Sequence, residues 1–174
     1  LRFGIVLAAD GGALPMLVKP FDFFVGGPIG SGNQPFSWVA IEDAVLAIDF
    51  LTKQADAKGA YNIVAESLPE HFVAEAIAGA LNRPDVVKMP GFLLKPMLGD
   101  EMAKELLLEG QRVYSARLLA AGFKFTHPKI GPAIRHLLRN RKRPENKAQA
   151  SVNTATESVK SAFNKVWDMF NKKK

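Results

Sequence analysis

Cysteine is absent from the 174 residues, which excludes a disulfide framework and any thiolate zinc centre. No apolar run reaches the roughly 18 to 20 residues that a membrane-spanning helix needs. No Gly-Lys-Ser/Thr occurs, so a P-loop is excluded. Of the tyrosines, Tyr61 is followed four positions later by Ala65 and Tyr114 by Leu118, so neither heads a Tyr-x-x-x-Lys pair. The histidines His71, His127 and His136 show no metal-ligand spacing, His127 beside Pro128 is expected to be exposed, and no metal is expected. No internal repeat is present. An initiator methionine and a signal-peptide pattern are also missing. The chain opens Leu1-Arg2-Phe3-Gly4-Ile5-Val6-Leu7 as if inside a strand, and a processed or truncated polypeptide is the expectation.

What is present reads as one globular domain with a core, by length and apolar content. The net charge of +6 is unevenly placed. From Arg135 onward eleven lysines and arginines face three acidic residues, which leaves the first 134 residues at −2. Any argument for an acidic partner therefore rests on the tail.

Strand and helix signals alternate along the first 138 residues. Residues 2–7 form a short apolar run, expected to be a strand buried on both faces. Gly11-Gly12 breaks it, and Leu14, Leu17, Val18 and Phe21 then mark a helix over 14–25, interrupted by Pro20. A second strand is expected at Phe36–Val39. A helix follows at Ile41–Leu51, with Ile41, Val45, Ile48 and Leu51 on one face, Glu42 and Asp43 at its positive end and Gly59 as its stop. Tyr61–Val64 reads as a third strand. Ser67 with Glu70 predicts a capping box, and Phe72, Ala76, Ile77 and Leu81 the buried stripe of that helix, stopped by Asn82-Arg83-Pro84. A short strand at Val86–Met89, helices at Phe92–Leu108 and Gln111–Ala121, an edge strand at Phe123–Phe125 and a helix at Lys129–Leu138 complete the pattern. Glu101, Glu105 and Glu109 read as a solvated helix face. The alternation argues an α/β layer structure with few strands, the second half of a doubly wound sheet.

Four glycines fall between Val25 and Gly32. A dinucleotide fingerprint is G-x-G-x-x-G, directly after a strand and opening a helix. Gly27, Gly30 and Gly32 give the reverse order, after a helix and before a strand, so the phosphate-cradle reading fails and a glycine turn from helix to strand is expected.

The stretch "RFGIVLAADGGALPMLVKPFDFFVGGPIGSGNQPFSWVAIEDAVLAIDFL" closely resembles the later part of extended short-chain dehydrogenase/reductases, in the NAD(P)-dependent epimerase branch, some of whose members are labelled cell-division inhibitors. "LGDEMAKELLLEGQRVYSARLLAAGFKFTHPKIGPAI" is similar to that branch's C-terminal extension. The resemblance covers roughly residues 1–135 and implies a partial Rossmann-like α/β fold. It also implies that the dinucleotide fingerprint and the catalytic Tyr-x-x-x-Lys pair belong to a first half of the protein, so that NAD(P) is expected only where that half is supplied and none in this chain alone. By resemblance the substrate pocket would be bordered by Arg2, the turn at Asp10–Ala13 and the loop from Gly30, Ser31, Gly32 and Asn33 through Gln34 to Ser37 and Trp38. Residue by residue the structural readings come first, with Trp38 as core, Arg2 as a carboxylate partner and Asp43 as a helix-start residue, while the loop as a whole is expected to be a pocket wall. The family's His after Trp-Ile/Val is Ala40 here.

Residues 139–151 read as a basic polar linker. From Val152 an apolar stripe with Phe163, Val166, Trp167 and Phe170, flanked by Lys165 and Lys172, predicts a basic amphipathic helix over 152–174. Docking to a partner protein or to an anionic membrane surface is expected of it. Nucleic acid is not an expected partner, because Arg139–Arg143 alone is a poor basis for reading it. The first expectation is therefore a non-catalytic, epimerase-like docking subunit of a larger assembly, in an organelle such as a chloroplast or mitochondrion. The alternative is part of an NAD(P)-dependent oxidoreductase or epimerase acting on a sugar nucleotide or similar small carbonyl compound. Residues 2–7 would present an apolar edge, and a permanent partner on that side is expected: a subunit of the assembly or the protein's own first half.

Overall fold

A computed structural model of the chain describes residues 1–85 and 110–139, all within one compact unit, Leu1–Arg141. The expected strand at 86–89, the helix at 92–108 with its glutamates, the linker beyond Arg139 and the helix from 152 lie outside the described residues. So do the docking residues Phe163, Lys165, Val166, Trp167, Phe170 and Lys172.

The opening run is two strands rather than one. β1 (Arg2–Phe3) pairs in parallel with β4 (Asn62–Ile63), whereas β2 (Ile5–Leu7) pairs in parallel with β3 (Pro35–Ala40). Gly4 is the crossing point. A Cβ there would lie 2.6 Å from the Ser37 carbonyl oxygen and 3.0 Å from Val64 Cγ2, so only glycine lets the chain pass between its two partners. The expectation of burial on both faces is corrected: Leu7 is buried, but Arg2 and Phe3 are exposed. β5 (Glu66–Pro69) extends the second sheet, antiparallel to β3, with Ser37 opposite Ser67 and Trp38 opposite Glu66.

The two-residue alternation of β3 divides the interior. Phe36, Trp38 and Ala40 face one core with Leu7, α1 (Ala13–Asp22), α3 (Glu70–Leu81) and α5 (Ile130–Leu138). Val39 faces a second core with Ile63, α2 (Ile41–Thr52), Leu118 of α4 (Ala116–Ala120) and Phe123. Helices thus cover both faces, the α/β layering expected. α1 buries Leu14, Leu17, Val18 and Phe21 as its spacing predicts, carries Pro20 in its last turn and ends at Asp22 rather than running on to Val25.

Several local expectations yield to tertiary contacts. Ser67 lies in β5 and caps nothing, and α3 starts at Glu70 with Pro69 before it. The Ser67 hydroxyl donates to that of Ser37 at 2.8 Å, since the Ser37 proton goes to Gln111 O, which removes it from a capping box. α3 buries Val73, Ala74, Ile77 and Ala78, while Phe72 of the expected stripe is exposed. α2 turns inward not the face of Ile41, Val45 and Ile48, all exposed, but that of Asp43, Ala44, Ala47 and Leu51. The two small alanines permit close approach, and the helix ends at Thr52, well before Gly59. Gln111–Ser115 is not helical. Its backbone is held open by two serines: Ser37 Oγ donates to Gln111 O and accepts from Val113 N–H (2.6 and 3.1 Å), and Ser115 Oγ bridges Val64 N–H and C=O (2.7 and 2.8 Å). Phe123–Phe125 is not an edge strand. Instead Phe123 packs edge-to-face on Phe50 and Phe125, with centroids at 5.5 and 5.0 Å.

Candidate substrate-side loop

The loop over residues 26–34 joins α1 to β3 as a glycine turn, with Gly30 at φ 59° and Gly32 at φ 70°. Its shape is set by bonds to itself and to the start of α3. Gly32 N–H donates to Ile29 O at 3.0 Å, and Asn33 N–H to Ser31 Oγ at 3.2 Å. The Gln34 amide donates to Ile29 O at 2.9 Å and accepts from Ser31 Oγ at 3.2 Å. Two backbone bonds staple the loop to α3: Glu70 N–H to Gln34 O at 3.0 Å and His71 N–H to Gly32 O at 2.9 Å. His71 Nδ1 also lies 3.0 Å from Gly32 O.

Beneath this loop lies a buried carboxyl. Glu70 is 2 % exposed, and its Oε2 accepts from Ile29 N–H at 2.9 Å. It faces a narrow cleft walled by Leu17, Phe21, Ile29, Ala74 and Ile77. Burial among these apolar groups pushes its pKa up to about 7, against smaller lowering effects of the Ile29 bond and the neighbouring His71. Near neutral pH the proton on Glu70 is therefore evenly disputed. Sequence reasoning assigned Glu70 to a capping box and missed this role, because its partner lies 41 positions away.

The predicted site residues separate into three groups. Gly30, Ser31, Gly32 and Gln34 are together on the loop, with Gly30, Ser31 and Asn33 exposed at its tip. Ser37 and Trp38 are on β3 and inside: Ser37 is spent on Ser67, Gln111 and Val113, and Trp38 is completely buried in the first core. Trp38 Nε1 has no hydrogen-bond partner among the described residues. Arg2 lies on β1 in the other sheet, opposite Asn62. Ala40 is completely buried where β3 turns into α2. Asp43 lies in the first turn of α2 as expected, and its two oxygens also accept from Thr126 and His127 N–H, at 2.8 Å each.

The loop does not fit the pyrophosphate of a dinucleotide. A phosphate cradle needs converging free amides, but those of Ile29, Gly32 and Asn33 are taken by Glu70, Ile29 and Ser31, and an acidic side chain lies directly under the turn. Tyr61 is likewise engaged, its ring covered by the Arg117 guanidinium at 4.5 Å from the centroid. What the tip offers is hydroxyl and amide groups on a rigid turn, suited to positioning a hydroxylated ligand rather than to proton transfer.

Residues 89–137 match a family described as a domain of unknown function, DUF1731. The chain is 36% identical over 140 residues to the epimerase family protein SDR39U1 of Bos taurus, covering 79% of this chain and 47% of that protein. An Arabidopsis thaliana homologue named as chloroplastic is 36% identical over 141 residues, covering 79% and 40%. Among solved structures, human SDR39U1 (isoform 2) with NADPH superposes with a TM-score of 0.72 at 34% identity, over 80% of this chain and 47% of that one. The chain matches the C-terminal portion of the epimerase family. Its fold is the partial Rossmann-like α/β arrangement of that portion, and it spans about half the length of the curated relatives it matches.

Proposed function

We propose that this epimerase-family portion supplies the substrate-side wall of an NAD(P)-dependent oxidoreductase or epimerase acting on a sugar nucleotide or similar small carbonyl compound. The dinucleotide would be held by a portion of the protein outside these 174 residues. The observation that carries this reading is the likeness to human SDR39U1, whose structure contains NADPH. In keeping with it, the glycine loop here has the amides of Ile29, Gly32 and Asn33 engaged internally and leaves Ser31 and Asn33 exposed at its tip. In this role the chain's own residues orient and enclose. Ser31 and Gln34 lock the turn, α3 fixes its position, and Ser31 and Asn33 border the ligand. Hydride chemistry would be supplied by NAD(P) and by residues of the other portion. The docking-subunit reading rests on residues 152–174, and neither the fold nor the relatives support it.

The test is to capture the native polypeptide by its C-terminal end and titrate it with NADPH, following nicotinamide fluorescence. Binding is expected, with turnover of a sugar nucleotide. Replacing Gln34 with Ala should lower turnover roughly ten- to hundredfold, the scale of a displaced positioning contact, without changing NADPH affinity. A native polypeptide that fails to bind NADPH or NADH would overturn the proposal.

A further inference from the structure

Far from the glycine loop, three side chains of metal-binding chemistry converge. Glu42 lies in the first turn of α2, His136 in the last turn of α5, and His127 in the segment leading into α5. One ligand atom from each lies within 4.8 Å of the other two. His136 Nε2 stands 3.6 Å from Glu42 Oε1, beyond ordinary hydrogen-bond distance. It is close to the spacing of about 3.3 Å that two ligand atoms adopt around a tetrahedral ion with bonds of about 2.0–2.1 Å. The His127 and His136 rings lie against each other, with centroids at 4.4 Å and an interplanar angle of 30°.

The backbone behind these side chains is fixed. Asp43, adjacent to Glu42 and 0 % exposed, takes the N–H groups of Thr126 and His127 on its two oxygens, each at 2.8 Å. Pro128 then restricts His127 to extended backbone. Glu42 and His127 are thereby tied to one another through the main chain, and α5 presents His136 to both. The ends of Glu42 and His136 remain about half exposed, at 44% and 49%, free to turn through the last distance and to leave a coordination position for water.

We propose that Glu42, His127 and His136 form a binding site for a borderline divalent cation of the Zn2+ class, which joins the start of α2 to the end of α5. Imidazole and carboxylate donors suit such ions, and three protein ligands with an open position is a recurrent zinc arrangement. The sequence conceals the site because Glu42 is distant from the two histidines along the chain.

The chain lends itself to a clean test, because it has no cysteine and its only other histidine is His71. The full chain is titrated with ZnCl2 by calorimetry, and the three histidine ring signals are followed by 1H–13C correlation spectra. One equivalent is expected to bind, moving the signals of His127 and His136 and leaving that of His71 in place. His136→Ala and Glu42→Gln, both at exposed positions that the fold tolerates, should each weaken binding by at least about tenfold. Absence of saturable binding, a shift of His71 equal to the others, or an affinity unmoved by either variant would overturn the proposal.

Discussion

Two buried carboxylates hold two loops of this protein, and they do it differently. Asp43 has both oxygens occupied, by the amides of Thr126 and His127. Glu70 has one amide, that of Ile29, and otherwise faces the side chains of Leu17, Phe21 and Ile77. A buried charge is tolerated in proportion to the donors that replace its lost water. With a single donor, desolvation dominates at Glu70 and its pKa rises to about 7. Asp43 ties two amides to the start of α2, whereas Glu70 is a strut whose charge changes near neutral pH, placed under the loop proposed to meet substrate.

Breaking the doubly bonded carboxylate should have the larger effect. Asp43→Asn replaces one acceptor by an NH2 aimed at a backbone N–H, and leaves that donor unsatisfied. A loss of about 3 kcal/mol is expected, measured by urea unfolding, together with loss of the Zn2+ response because His127 is no longer held. A variant as stable as the parent would mean that the two bonds contribute nothing net. At Glu70 the expected signature is a slope rather than an offset. Its pKa is raised from 4.5 in the unfolded chain to about 7 in the fold, so between these values the folded state binds more protons. The stability that this confers is complete below about pH 4.5 and is lost as pH rises through about 7, a change of roughly 2–3 kcal/mol. Glu70→Gln keeps an acceptor for Ile29 and removes the proton, so the slope attributable to this residue should vanish when unfolding is repeated from pH 4.5 to 8. An unchanged slope would assign the pH dependence to another group.

Neither carboxylate could be recognised from its neighbours in sequence. What the sequence did reveal rests on local periodicity: the buried stripe of α1, the strand at Phe36–Val39, the helix at Lys129–Leu138 and the glycine turn between the first two. What it concealed depends on partners far along the chain. Ser67 beside Glu70 has the local form of a helix cap, but Ser37 claims its hydroxyl and Ile29 claims the acid, so strand and loop contacts override the motif. α2 was assigned its larger apolar face, whereas packing selected the face whose alanines allow the helix closest to the sheet. The loop could be located by its glycines and by family resemblance, but the use of Gln34 as an internal brace, rather than a ligand group, appears only when Ile29 and Ser31 are seen beside it.

The smallest effects sharpen the comparison within the loop itself, since two of its glycines share a backbone conformation but not an environment. Gly30 has φ 59° and nothing within 4 Å of where a Cβ would stand. Gly32 has φ 70°, and a Cβ there would meet Pro28 Cβ at 3.0 Å and His71 Cβ at 3.1 Å. Alanine at Gly30 should therefore cost only the left-handed backbone term, about 1 kcal/mol. Alanine at Gly32 adds a contact that neither neighbour can relieve by rotating, since both atoms are joined directly to the main chain, and about 2 kcal/mol is expected. Unfolding of the two variants in parallel isolates the packing term by difference. Equal losses would show that the loop moves off α3 without cost, and that its attachment through Gly32 and His71 is too weak to hold a substrate-side wall in place.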